Sequence, residues 1–199
     1  MTIQEALKIA YWRSIVIGEH HGDRFCRSAI LHALQVAHAH GYRRLGVEVA
    51  HGGAYCHKDK HWCSGLDEEL DELRRIGVGE LSEYDPHSSN DPDETGAFRR
   101  MNRYWYLQLA MQIGWHIEAI DPHHWNWMLD TPEGYYDSRD PDMAKCILAR
   151  SPMIAVVGAG HLKGLYDDLG QRAVLLNTIQ LNGEDERIRF MLTVPLLSM

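Results

Sequence analysis

The chain has 199 residues, long enough to bury a real core without disulfide staples. Its 28 acidic and 20 basic side chains leave a net charge of -8, which argues against nucleic acid or an anionic membrane as a partner. No apolar run approaches the ~20 residues of a membrane-spanning helix, and four cysteines are too few for a disulfide scaffold of this size. The expectation is a single α/β domain over residues 1–199, with 51–93 as a loop-and-helix insertion placed to act as a lid. Histidine is the unusual component: there are 13, many of them clustered.

In chain order, Met1–Ala10 reads as a short amphipathic helix carrying Glu5 and Lys8, without the basic and apolar stretches of a signal peptide, so a cytoplasmic protein is expected. Ser14–Gly18 is an apolar run ending in glycine, a buried strand. Asp23–His40 has helical spacing at Ile30, Leu31, Leu34 and Ala37, with Asp23 as cap and Gly41 as stop. Leu45–Val49 is a second strand, parallel to the first because a helix joins them. His51–Ser64 has no period and reads as loop, Leu66–Ile76 as a charged helix, and Tyr84–Pro92 as loop. Glu94–Ile113 reads as a long helix closed by Gly114, Trp115–Ile120 as a third strand, Pro141–Arg150 as a helix and Met153–Gly158 as a fourth strand. After a short helix over His161–Leu169, Ala173–Leu181 and Ile188–Val194 form a C-terminal β-hairpin about Asn182-Gly183. This alternation predicts a mostly parallel central sheet flanked by helices.

In such a sheet, ligands bind beyond the carboxyl ends of the strands. Each of the first four strands delivers ionisable side chains to that edge. Glu19, His20 and His21 follow the first; Glu48 and then His51 follow the second; Asp121, His123 and His124 follow the third; His161 follows the fourth. Two imidazoles and a carboxylate make a hydrolytic metal set with a position left open for water. The ion would polarise a carbonyl and acidify the water, and a second carboxylate, Glu19 or Asp121, could take the proton. Gly18 and Gly158 would let the chain turn sharply off its strand, and Gly160 would allow close backbone approach. His161 opens a helix, where the dipole favours neutral imidazole.

The turns Gly18-Glu19-His20-His21 and Gly158-Ala159-Gly160-His161, with Gly46-Val47-Glu48 between them, resemble the motifs of the Tiki/TraB, ChaN-like and erythromycin-esterase-like superfamily. Ser138-Arg139-Asp140-Pro141-Asp142-Met143-Ala144 is similar to the Arg-Asp…Met-Ala helix start of its esterase branch, and the likeness runs in order from about residue 14 to 165. The resemblance implies an α/β fold with its site at the sheet edge. Tiki-like members are metal-dependent proteases, erythromycin-esterase-like members hydrolyse a lactone, and ChaN-like members bind haem. The expectation is therefore a metal-dependent hydrolase acting on an ester, lactone or amide of a small molecule or peptide. Its metal ligands would be His21, Glu48 and His161, with Glu19 as general base or further ligand and Asp121 and Arg139 in support. The ion would be Mn, Co, Fe, Ni or Zn. The alternatives are a haem- or iron-binding protein without catalysis, and a metal-free esterase in which Glu48 orients a water-activating His21.

Two further clusters stand out. Cys56, His57, His61 and Cys63 could bind zinc, but the spacing is tight and unpaired, so a polar loop is the expectation. Trp125 and Trp127 follow Asp121 closely enough to line an apolar pocket at the same edge. His32, His38 and His40 lie on or at the end of a helix with no facing carboxylate, and Tyr104, Trp105 and Tyr106 read as packing residues.

Overall fold

The computed structural model describes residues 2–20, 24–56, 61–76, 106–123, 135–179 and 189–192. The helices are α1 (Ile3–Ala10), α2 (Arg24–Ala39), α3 (Leu66–Ile76), α4 (106–113), α5 (Tyr135–Ala149) and α6 (Leu162–Leu169). The strands are β1 (Ser14–Glu19), β2 (Arg44–Val47), β3 (Ala54–Cys56), β4 (His61–Cys63), β5 (His116–Ala119), β6 (Ile154–Gly158), β7 (Ala173–Ile179) and β8 (Arg189–Leu192).

Six strands form one sheet in the order β5-β2-β6-β1-β7-β8. The first five are parallel, and β8 pairs antiparallel with β7. The central strands are uniformly apolar because helices cover both faces. One face, through Ile15, Ile17, Leu45, Val47, Ile154 and Val156, packs under α1, α2, α3 and α4. The other, through Val16, Ala155, Val157 and Leu175, packs under α5 and α6. The expected α/β architecture is therefore present, including the antiparallel C-terminal pair; Asn182-Gly183 lies outside the described residues. Among the described residues no helix is long and apolar enough to cross a membrane.

β1 and β2 are parallel, as expected, with β6 between them and paired with both. Two expectations change. The stretch read as loop over His51–Ser64 contains the antiparallel pair β3–β4, whose backbone register pairs position 56 with 61 and 54 with 63. Strands of three residues are too short to show alternation. The helix expected from Pro141 begins at Tyr135 and carries Pro141 in its interior. The loop at Tyr84–Pro92, the first part of the helix expected over Glu94–Ile113, and His57 lie outside the described residues.

The insertion of β6 positions the site. The chain leaves β1 through α2 toward β2, and leaves the neighbouring β6 through α6 toward β7. Oppositely directed connections from adjacent strands mark the carboxyl edge at which such sheets form a ligand crevice.

Candidate active site

Four segments deliver charge to that edge. Glu48 directly follows β2, and its N–H continues the ladder to the Val156 carbonyl at 3.1 Å. Asp121 follows β5, fixed by its own N–H to Val49 O at 3.3 Å. His161 ends the 3-10 turn Ala159–His161 that connects β6 to α6. Arg139 and Asp140 are adjacent on α5, and successive helix positions diverge by about 100°. Arg139 thus reaches the carboxylates behind β2 and β5, while Asp140 reaches the ring at the start of α6.

The contacts form one chain. Asp140 Oδ1 lies 2.5 Å from His161 Nδ1, and His161 Nε2 lies 3.1 Å from Glu48 Oε1. Arg139 Nη2 donates to the same Glu48 oxygen at 2.7 Å and also to Asp121 Oδ2. The second Glu48 oxygen accepts from Gly158 N–H at 2.5 Å. Arg139 and Asp121 have no exposed surface, and His161 and Asp140 are 2% and 3% exposed. Buried charges survive only when paired, and here three carboxylates enclose two cationic groups.

This enclosure sets the protonation states. Burial works to lift the Glu48 carboxyl, but His161, Arg139 and the Gly158 N–H together outweigh it and hold the group far below the usual carboxylate range. Burial likewise works to strip the proton from His161, and Asp140 and Glu48 overcome it, raising the ring to about 9. The expectation of a neutral imidazole is overturned: two flanking carboxylates outweigh the helix dipole. The turn geometry also differs. Gly158 has φ -58 and ψ 139, backbone open to other residues, and contributes its N–H to Glu48. Gly18 matters for space, because a Cβ there would lie 2.8 Å from Leu162 Cγ at the start of α6. The end of β1 is thus packed against the start of α6 and the Ala159 backbone.

Of the residues singled out in the sequence, Glu48, Asp121, Arg139 and His161 are brought into contact. Glu19 ends β1 as the register partner of Gly158 and is partly exposed. His20 is exposed. His21, His124, Trp125 and Trp127 lie outside the described residues. His123 sits at the rim, its ring 2.7 Å from Asp142 Oδ2 and its N–H donated to Asp121 Oδ1 at 3.2 Å. His51 pairs loosely with exposed Asp67 at 3.9 Å. Asp140 was missed, because beside Arg139 in sequence it reads as that residue's surface ion-pair partner. The signal was its place one residue on, which turns it toward a different neighbour.

Among the described side chains no group of three histidine, cysteine, aspartate or glutamate residues is arranged to hold a metal. Two of the three expected ligands, Glu48 and His161, do converge. Asp140 on Nδ1 stands where an outer carboxylate would orient a metal-binding imidazole, but Nε2 would first have to give up the proton it directs at Glu48. Comparison with protein-family models, curated proteins and solved structures finds no match.

Proposed function

We propose that the protein is a hydrolase that adds water to an ester, lactone or amide carbonyl, with the Asp140–His161–Glu48 chain as the proton donor to the leaving group. The observation that carries this reading is a nearly buried imidazole held between two carboxylates, at 2.5 Å and 3.1 Å, at the carboxyl edge of a parallel sheet. With its pKa at about 9, the ring carries both protons at neutral pH. Asp140 retains the Nδ1 proton, so Nε2–H is the one available for transfer. Glu48 stays ionised and aims that N–H. Glu19, on the adjoining strand end, would take the proton from water as its oxygen bonds to the carbonyl carbon. The bond to the leaving oxygen or nitrogen then breaks as Nε2 delivers its proton there. Solvent returns the proton from Glu19 to His161.

A second reading starts from the convergence of Glu48 and His161, whose Nε2 would give up its proton to take an ion. With His21 as a third donor, these residues would hold a divalent transition metal. When bound, such an ion supplies Lewis acidity and a more acidic water.

Turnover of a panel of aryl esters, lactones and short peptides tests both, using protein purified without chelator, then stripped, then reloaded with Mn, Co, Fe, Ni or Zn. His161→Ala and Glu48→Gln are expected to lose ~100-fold or more. Activity that survives stripping supports the acid–base reading, and activity that returns only with an ion supports the second. Full turnover in His161→Ala would remove both. A Soret band on haem titration, with no hydrolysis, would place the protein with haem binders instead.

A further inference from the structure

We infer that Gly164, a residue with no functional group, is a positioning residue that seats Asp140 against His161. It lies on α6, three residues after His161, where α6 packs against α5. A Cβ at this position would overlap Asp140 Oδ2, and would stand 2.7 Å from its Cγ and 2.9 Å from its Cβ. Atoms of that kind do not approach so closely. Relieving the Oδ2 contact means turning the carboxyl group and relieving the Cγ contact means changing χ1, and either moves Oδ1 off His161, which it meets at 2.5 Å in a side chain only 3% exposed. The Cβ contact cannot be relieved by rotation and requires α5 and α6 to separate.

Helix propensity sharpens the point. Glycine within a helix is unfavourable relative to alanine, and Gly164 is the third residue of an eight-residue helix. Its φ is not in the left-handed range that would demand glycine. The local cost is offset by what the missing side chain permits, a carboxylate in contact with the Nδ1 side of the ring. Gly164 therefore acts through Asp140 on the contact that holds the Nδ1 proton of His161. The inference rests on the Asp140–His161 contact and uses the hydrolytic reading only for what His161 does next.

The test is a double-mutant cycle of Gly164→Ala with Asp140→Gly, which removes the three atoms nearest the new methyl. In the wild-type background Gly164→Ala is expected to lower Tm by ~5 °C or more. In the Asp140→Gly background it should be neutral or raise Tm, as glycine-to-alanine in a helix normally does. The spectroscopic readout is the ring Nδ1–H signal of His161 in ¹⁵N-labelled protein. It should be present in wild type and lost in both Asp140→Gly and Gly164→Ala. An equal Tm loss in both backgrounds, or a retained Nδ1–H signal in Gly164→Ala, overturns the inference. If Gly164→Ala alone does not fold, recovery of folding in the double variant supports it and failure to recover overturns it. No turnover is measured, so absence of hydrolysis would leave this result standing.

Discussion

At Arg139 a fully buried guanidinium holds Glu48 and Asp121 together through one nitrogen. Its removal takes the guanidinium from Asp121 and leaves Glu48 with His161 and the Gly158 N–H, and an uncompensated buried charge costs about 3–5 kcal/mol. Arg139→Met is expected to lose that much stability in urea unfolding. Asp121→Asn added to it should cost less than the sum of the two single changes, because it removes the stranded charge. The contrast is Arg75, whose pair with Glu72 on α3 is exposed at 72% and 39%; Arg75→Met should change stability by at most ~1 kcal/mol. Strictly additive losses at 121 and 139 would show that the two side chains do not share a charge network. The sequence marked Arg139 only through its likeness to a family motif. Burial, which separates it from Arg75, is absent from composition and spacing.

The element that brings Arg139 and Asp140 to the site is α5, and it contains a proline where helices rarely tolerate one. Pro141 is the seventh residue of α5. It has no N–H for the carbonyl of residue 137, and its ring crowds that carbonyl. Pro141→Ala restores a donor and is expected to raise stability by ~1 kcal/mol, read as a Tm increase. A lowered Tm would mean that the local bend at Pro141 is needed to seat Arg139 and Asp140. Proline is also why α5 was only half legible in sequence. A helix start is the ordinary reading of a proline that precedes a periodic apolar stretch, so the turn bearing Arg139 and Asp140 was placed at its threshold. The strand ends were better marked, since Glu19 and Asp121 follow their apolar runs directly and Glu48 falls at the end of its own. The pair β3–β4 was not marked, being short and set in a stretch rich in Gly, Cys and His.

Across the whole molecule, the site ties together β2, β5, β6, α5 and α6, elements drawn from residues 44 to 169. Which strands carry charge to the carboxyl edge could be read from the chain, but their lateral order could not. Pairing of β6 between β1 and β2 is decided by packing far apart in sequence, and it is what sets His161 beside Glu48. Since the network exists only in the folded sheet, its protonation contributes to global stability. His161 has a folded pKa of about 9 against ~6.5 when unfolded. Below pH 6.5 both states hold the proton and the contribution is complete. Between 6.5 and 9 the unfolded chain releases its proton while the folded protein keeps it, so stability falls as pH rises. Above 9 the contribution is gone. A gap of this size corresponds to on the order of 3 kcal/mol, or a Tm drop of ~10 °C for a chain of this length. Glu48 is depressed, so its own contribution is lost only in strong acid and leaves this window undisturbed. Thermal melts from pH 6 to 9.5 should show the decline in wild type and a much flatter profile in His161→Gln. A level wild-type profile, or the same slope in the variant, would mean that the ring does not hold its proton between Asp140 and Glu48.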